Sequence, residues 1–163
     1  MIAANIRDAA QRIIDDFTAR KLTIVTAESC TGGLVGGALT EIAGSSAAVL
    51  CGFITYSNEA KHRMLGVPLE TLQQFGAVSR QTALAMAQGA LKNSDATVSV
   101  SITGIAGPGG GSAEKPVGLV HFAAAKRGGN EIAREMRFGD IGRSAVRERA
   151  VLVALEMLAE VAG

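Results

Sequence analysis

The sequence predicts an α/β protein, a three-layer α/β/α sandwich around a mixed β-sheet. Short apolar stretches of strand character alternate along the chain with longer stretches in which apolar residues recur at helical spacing. Two of the short stretches run directly into glycine-rich loops, which is typical of the carboxyl ends of strands in open α/β sheets. The last two flank a Lys-Arg-Gly-Gly-Asn turn, which predicts a hairpin and hence an antiparallel part of the sheet.

The first half of the chain predicts three helices and two strands. A helix over 2–17 is amphipathic, and the strand over 22–27 is short, β-branched and bounded by charge. A helix follows the first glycine cluster to about residue 42, and the segment 47–55 is predicted as the second strand. Ser57 then caps a helix that runs to Leu65, where Gly66 ends it.

The second half predicts three helices and three strands. Two short helices cover 68–75 and 79–92, the second capped by a serine. In 96–103 apolar and hydroxyl residues alternate, and this two-residue period predicts a strand. The hairpin strands occupy 119–125 and 131–138, and a long final helix spans 143–161.

Length and composition exclude several classes of protein. A chain of 163 residues is expected to form a single domain over 1–163, and 48% hydrophobic with 19% charged residues excludes disorder. The 16 basic and 15 acidic residues leave a formal charge of +1, which provides no basic face for nucleic acid. With 4% aromatic residues and no tryptophan, base-stacking platforms are disfavoured as well. We therefore expect no direct nucleic-acid contact.

The two cysteines and the first residues bear on the compartment. Two cysteines cannot form a disulfide framework, and no leader-like segment opens the chain, so a cytoplasmic protein is expected. The most apolar stretch, 145–162, contains five charged residues, which excludes a membrane span. A homo-oligomer is expected, because small cytosolic enzymes commonly form symmetric assemblies.

The first glycine cluster holds the candidate nucleophile. Ser29 lies where a strand turns toward a helix, and the N–H groups of Thr31, Gly32 and Gly33 are candidate donors to an anion or an oxyanion. The alternative is that Ser29 or Thr31 only caps the helix. Cys30 is a second candidate nucleophile, although such a cysteine is more often a small buried residue, as we expect Cys51 in its strand to be.

A serine nucleophile needs a base. His62 and His121 lack the context of a catalytic triad, and both are predicted to be structural. Lys61 is the alternative base, because a lysine desolvated in a pocket loses its proton more readily, and Tyr56 could pass a proton to the leaving group. Alternatively, Lys61 is a solvated helix charge and Tyr56 packs its ring at the end of a strand.

The second glycine cluster and the last helix hold candidate anion ligands. The amides of Gly104–Gly111 are suited to cradling a phosphate, with Lys115 beyond them, unless the loop is merely flexible. Arg143 and Arg147 lie one helical turn apart and could grip a phosphate together, unless they are solvated charges with Glu148 as a partner. No His/Cys/Asp cluster has metal-ligand spacing, so neither a metal nor another cofactor is expected.

Five motifs in order along the chain closely resemble the CinA C-terminal-domain family, which includes the nicotinamide-nucleotide amidases. The match covers nearly the whole chain in order. Five motifs in sequence are much more specific than any single glycine loop. They are Thr-Ala-Glu-Ser-Cys-Thr-Gly-Gly (26–33), Ala-Gly-Ser-Ser (43–46), Gly-Phe-Ile-Thr-Tyr-Ser-Asn-Glu-Ala-Lys (52–61), Gly-Ala-Val-Ser (76–79) and Thr-Gly-Ile-Ala-Gly-Pro-Gly-Gly (103–110), the last followed by Lys-Pro-Val-Gly (115–118).

The resemblance implies a metal-free amidohydrolase that converts nicotinamide mononucleotide and water to nicotinic acid mononucleotide and ammonia, in pyridine-nucleotide recycling. It implies that Ser29 attacks the carboxamide carbon. It also implies that Tyr56 and Lys61 activate the Ser29 hydroxyl and protonate the departing ammonia. The chain looks like the form of the family that stands alone, without a preceding molybdopterin-binding-like domain.

Two alternatives remain open: a non-catalytic nucleotide-binding or regulatory module of the competence or damage response, and a Cys30 thiol enzyme. The substrate-binding positions that the resemblance implies are Ser46, Gly104, Gly107, Gly109, Gly110, Arg143 and Arg147.

Overall fold

The computed structural model describes residues 2–163, which form six α-helices and five strands. The strands are β1 (Ile24–Glu28), β2 (Val49–Ile54), β3 (Val98–Gly104), β4 (Leu119–Lys126) and β5 (Glu131–Arg137). The helices are α1 (Ala4–Arg20), α2 (Leu34–Thr40), α3 (Asn58–Leu65), α4 (Leu69–Phe75), α5 (Arg80–Lys92) and α6 (Arg143–Ala162). Every helix and strand that the sequence predicts is therefore present, with ends shifted by a few residues.

The five strands form one mixed sheet in the order β2-β1-β3-β4-β5. β1 pairs in parallel with β2 and β3, whereas β3–β4 and β4–β5 are antiparallel, as the predicted hairpin requires. All five residues of β1 are buried, because helices cover both faces of the sheet at this point. The prediction of a mixed sheet is confirmed.

Helices pack on both faces of the sheet and complete the three layers. On one face α1, α2 and α6 enclose a core that includes Phe17, Phe122 and Leu158. On the other face α3, α4 and α5 enclose a smaller core around Leu65 and Met86. The predicted α/β/α sandwich is confirmed.

The alternating hydroxyl residues of β3 are buried against α5 rather than exposed to water. Ser99 Oγ donates to the carbonyl of Ala87 at 2.8 Å, and Ser101 Oγ donates to that of Ala83 at 2.6 Å. These bonds satisfy polar groups that burial would otherwise leave unpaired. They let a strand with a polar face lie in the middle of the sheet.

β2 differs from its prediction in two respects. It begins at Val49 rather than at residue 47, because 45–47 form a 3₁₀ turn. It is also an edge strand of the sheet, and Cys51 is exposed on it. The expectation of a buried Cys51 was therefore wrong, because the apolar letters of β2 do not reveal that one edge and much of its surface lack a neighbour.

The fold brings three strand ends together. Because β1, β2 and β3 are parallel, their carboxyl ends lie at the same edge of the sheet. Ser29 follows β1, Thr55 follows β2 and Gly104 ends β3. Within residues 2–163 we find no helix long and apolar enough to cross a membrane.

Candidate active site

Ser29 and Lys61 form a buried pair at this edge of the sheet. Lys61 Nζ lies 2.9 Å from Ser29 Oγ, and both side chains are buried, Lys61 with 1% of its surface exposed. The pair is built by two elements: the backbone N–H of Ser29 donates to the Ile102 carbonyl of β3, and Lys61 lies on α3, whose start Ser57 caps. The sequence prediction that Ser29 and Lys61 meet is consistent with this geometry.

The remaining contacts of the Lys61 amine fix its orientation. Nζ also donates to the carbonyl oxygens of Thr55, at 2.8 Å, and Tyr56, at 3.3 Å. Carbonyl oxygens only accept hydrogen bonds, so two N–H groups of the amine are committed to them. In the neutral amine the lone pair then lies toward Ser29 Oγ.

Burial also adjusts the proton affinity of this amine. It lowers the pKa of Lys61 from its ordinary 10.5 to about 8, because desolvation disfavours the charged form. No carboxylate forms an ion pair with Lys61 among the described residues. The neutral, basic form of Lys61 is therefore accessible near neutral pH.

The loop after Ser29 folds back on itself. The N–H of Gly32 donates to the Ser29 carbonyl at 3.0 Å, and the N–H of Gly33 donates to Glu28 Oε1 at 3.2 Å. Both glycines have positive φ, 56° and 99°, which explains the Gly-Gly pair at this turn. Of the three predicted amide donors, two are thus already bonded within the chain. The N–H of Thr31 has no partner within residues 2–163.

Arg147 holds the other side of the same loop. Its Nε donates to the Cys30 carbonyl at 3.2 Å and its Nη2 to the Thr31 carbonyl at 3.3 Å. In a trans peptide the C=O and the next N–H point in opposite directions, so the N–H of Thr31 points away from Arg147. Arg147 therefore supports the loop from the α6 side.

Tyr56 and Arg143 form a second, more exposed group. Tyr56 is 62% exposed, and its hydroxyl accepts from Arg143 Nη2 at 3.0 Å. Arg143 Nη1 donates to the Gly107 carbonyl of the second glycine loop at 2.8 Å. Tyr56 contacts Lys61 through its backbone carbonyl, whereas its hydroxyl bonds Arg143.

The two arginines thus do not form the joint grip that their spacing predicts. Arg143 contacts the second glycine loop, whereas Arg147 contacts the loop 29–33 that carries Ser29, which we call the nucleophile loop. The two side chains leave α6 toward different neighbours. Gly104 ends β3, and Gly109 and Gly110 lie exposed beyond Gly107.

Ser46 and Lys115 lie apart from this group. Ser46 is exposed in the turn before β2, at the opposite edge of the sheet from Ser29, and the length of β1, about 13 Å at 3.3 Å per residue, separates the two edges. The structure does not bring it to the candidate site, because β2 runs parallel to β1, so the turn before β2 and the loop after β1 lie at opposite ends of these strands. Lys115 Nζ donates to the Phe75 carbonyl, at the end of α4.

The other candidate groups have structural surroundings. Burial raises the pKa of the Cys30 thiol to about 12, so that thiol is protonated at neutral pH. His62 Nδ1 lies 2.8 Å from the Val67 carbonyl, and His121 lies 3.5 Å from Glu135. Neither histidine bonds Ser29, and residues 2–163 contain no cluster of three His, Cys, Asp or Glu side chains able to hold a metal.

Sequence reasoning missed Glu28. Its side chain is 1% exposed, and both carboxylate oxygens accept backbone N–H groups at the start of α2. An available signal was the charged residue that closes an otherwise uncharged, buried strand. A further signal was that α2 begins after two glycines, without a Ser, Thr, Asp or Asn cap of its own.

An α/β sandwich with a serine–lysine pair between glycine loops is the arrangement that the family resemblance predicts. The model of the CinA C-terminal domain matches residues 6–162, and the chain belongs to this family.

Among curated relatives, nicotinamide-nucleotide amidohydrolase PncC of Escherichia coli (strain K12) is 51% identical over 159 residues, which cover 97% of this chain and 95% of the relative. A putative competence-damage inducible protein of Caldicellulosiruptor bescii is 50% identical over 147 residues, which cover 90% of this chain but 35% of that longer relative. Among solved structures, competence/damage inducible protein CihA from Agrobacterium tumefaciens is 61% identical with a TM-score of 0.99, over 100% of this chain and 99% of that one.

Proposed function

We propose that this chain is a nicotinamide-nucleotide amidohydrolase, which converts nicotinamide mononucleotide and water to nicotinic acid mononucleotide and ammonia. Relatives that bear this name are 51% identical over nearly their whole length. The observation that carries the mechanism is the 2.9 Å contact between Lys61 Nζ and Ser29 Oγ, with the other N–H groups of the amine committed to two carbonyls.

In the first step neutral Lys61 accepts the hydroxyl proton of Ser29, and Ser29 Oγ attacks the carboxamide carbon. A new C–O bond forms, and the electron pair of the C=O bond moves to oxygen. The buried amine is a suitable base because its pKa of about 8 lies near the working pH. Lys61 leaves this step as an ammonium ion.

The negative oxygen that develops needs a donor. We assign this role to the N–H of Thr31, which has no partner in the described chain and follows the nucleophile by two residues. Arg147 fixes its direction through the Cys30 carbonyl. A donor of this kind contributes about 3 to 4 kcal/mol in other acyl-transfer enzymes.

In the second step the tetrahedral adduct collapses, the C–N bond breaks, and the Lys61 ammonium returns its proton to the departing ammonia. This leaves an ester on Ser29 Oγ and a neutral Lys61. A water molecule then gives its proton to Lys61 and attacks the ester carbon, and the acid product leaves as Ser29 regains its proton. The cycle uses Lys61 as base twice and as acid twice.

We place the 5′-phosphate near Arg143. This guanidinium is exposed and has no carboxylate partner among residues 2–163, and its present contacts, Tyr56 Oη and the Gly107 carbonyl, are neutral. An anionic phosphate is a stronger acceptor for it than either. Tyr56 then borders the substrate as a binding residue rather than as the base.

We also propose a cytoplasmic homo-oligomer. The two cysteines are free, which suits a reducing compartment. The edge strand β2 carries no charged residue and exposes Leu50 and Ile54, and natural proteins seldom leave such an edge unpaired. Light scattering coupled to size-exclusion chromatography tests the oligomer, and a monomer across the working concentrations contradicts it.

The proposed function is tested by measuring ammonia release from nicotinamide mononucleotide. Ser29→Ala is compared with the wild type and with Ser94→Ala, a matched serine variant just after α5 whose hydroxyl donates to the Ala90 carbonyl. We expect turnover by the wild type and by Ser94→Ala, and none above background by Ser29→Ala. A binding module without catalysis instead predicts thermal stabilisation by the nucleotide with no ammonia from any of the three proteins.

A further inference from the structure

Glu28 is a buried carboxylate with no cationic partner. It is 1% exposed, and within residues 2–163 no lysine, arginine or histidine forms an ion pair with it. Its charge is balanced by backbone N–H groups: Oε1 accepts from Gly33 at 3.2 Å and from Val35 at 2.9 Å, and Oε2 accepts from Gly36 at 3.0 Å. Charge-assisted bonds of this kind are stronger than neutral ones.

These bonds fill the start of α2 and remove it as a site for a ligand. The carboxylate takes the place of the missing cap and satisfies N–H groups that a helix start otherwise leaves unpaired. A ligand anion would have to displace a covalently attached one. The anion-binding role that the sequence suggests for this helix start therefore belongs to Glu28 itself.

Glu28 also directly precedes the nucleophile in sequence, so its side-chain bond to Gly33 ties together the two ends of the 29–33 loop. The backbone leaves Glu28, passes through Ser29 to Thr31, and is tied back to the Glu28 side chain at Gly33. On the other side, Arg147 bonds the Cys30 and Thr31 carbonyls. The 29–33 loop is thus held at its ends by the Glu28 carboxylate and in its middle by the Arg147 guanidinium.

We infer that Glu28 is a positioning residue for the amidase reaction, because its carboxylate holds the 29–33 loop with Ser29 Oγ on Lys61 and the Thr31 N–H turned toward the reacting carbonyl. The inference rests on the proposed function. A loop with two glycines in a row has little stiffness of its own, so the ties at its ends determine its shape. Displacing a reacting atom by about 1 Å costs on the order of 100-fold in rate.

Glu28→Gln is a sharp test because it keeps size and shape. The glutamine oxygen can retain the Gly33 and Val35 bonds, while its NH₂ group faces the Gly36 N–H, where two donors oppose each other. The matched control is Ser79→Ala. Ser79 is also a buried helix cap, accepting from the Thr82 N–H at 3.1 Å, but it starts α5 and contacts none of the groups proposed for catalysis.

Both variants and the wild type are compared in ammonia release, in urea unfolding, and in the rate at which phenylmethanesulfonyl fluoride modifies Ser29, followed by peptide mass spectrometry. We expect Glu28→Gln to lower kcat by on the order of 10- to 100-fold, with KM within about twofold and slower Ser29 modification. Both variants should be less stable than the wild type in urea, because each weakens the bonds at a helix start. The kcat and the Ser29 modification rate of Ser79→Ala should nevertheless stay within about twofold of the wild type.

The outcomes separate the two levels of the proposal. Wild-type kcat and labelling rate in a folded Glu28→Gln protein would overturn the role of Glu28 while leaving the amidase intact. Equal losses of kcat in Glu28→Gln and Ser79→Ala would also overturn it, because they would trace the loss to stability alone. If the wild type releases no ammonia, the proposed function fails, and the Ser29 labelling rates still decide whether Glu28 positions the nucleophile.

Discussion

Replacing Lys61 by methionine should change the way stability depends on pH, in a direction that the burial of Lys61 fixes. In the folded protein the amine has a pKa of about 8, against an ordinary value of 10.5 in the unfolded chain. Between these two values the unfolded chain binds more protons than the folded one. The free energy of unfolding of the wild type therefore rises with pH through this window.

The size of the effect follows from the two pKa values. The proton on Lys61 costs the folded state about 3 kcal/mol at pH 7, from 2.5 pKa units at about 1.4 kcal/mol each. At about pH 9.5 the folded amine is neutral while most of the unfolded chains still carry the proton, and the cost falls to about 1 kcal/mol. Between these two pH values the free energy of unfolding of the wild type should therefore rise by about 2 kcal/mol relative to that of Lys61→Met.

The assay is urea unfolding of both proteins at several pH values from about 7 to about 9.5. Subtracting the two free energies of unfolding cancels the other titrating groups, which the proteins share. Lys92→Met, at an exposed lysine on α5, is the control and should give a flat difference. A flat difference for Lys61→Met as well, or one of opposite sign, would refute the buried, easily deprotonated amine on which the mechanism depends.

Three further predictions concern the groups around the serine–lysine pair. Cys30→Ala should retain kcat within about threefold in the ammonia assay, because burial raises the pKa of this thiol to about 12, and a loss like that of Ser29→Ala would favour a thiol enzyme instead. Arg143→Ala should raise KM for nicotinamide mononucleotide by on the order of 10-fold while barely changing turnover of the riboside that lacks the phosphate; equal effects on both substrates would move the phosphate elsewhere. Arg147→Ala should lower kcat by on the order of 10-fold with KM nearly unchanged, since it frees the Cys30 and Thr31 carbonyls, and a pure KM effect in steady-state kinetics would assign it to substrate binding.

The sequence predicted the elements well because local chemistry determines them. Ser57 and Ser79 cap the helices as expected, by accepting from the N–H groups of Ala60 and Thr82. The hairpin between β4 and β5 forms around its glycine turn. Such signals lie within a few residues of the structure that they specify.

The arrangement of the site residues depends instead on contacts between distant parts of the chain. Arg143 and Arg147 share a helix, yet their partners lie on two loops far apart in sequence, at Gly107 and at Cys30. Ser46 belongs to a family motif, but the direction of β2 puts it at the far edge of the sheet. Glu28 is read as a polar strand end until the fold shows that α2 starts against its carboxylate.

The most direct test of the central claim is to trap the ester on Ser29. Acid-quenched protein from early turnover of nicotinamide mononucleotide, digested and measured by mass spectrometry, should carry the nicotinic acid mononucleotide acyl group on the peptide that contains Ser29, and Ser29→Ala should carry none. Steady ammonia release with no adduct on Ser29, or with the adduct on Cys30, would contradict a serine nucleophile activated by Lys61.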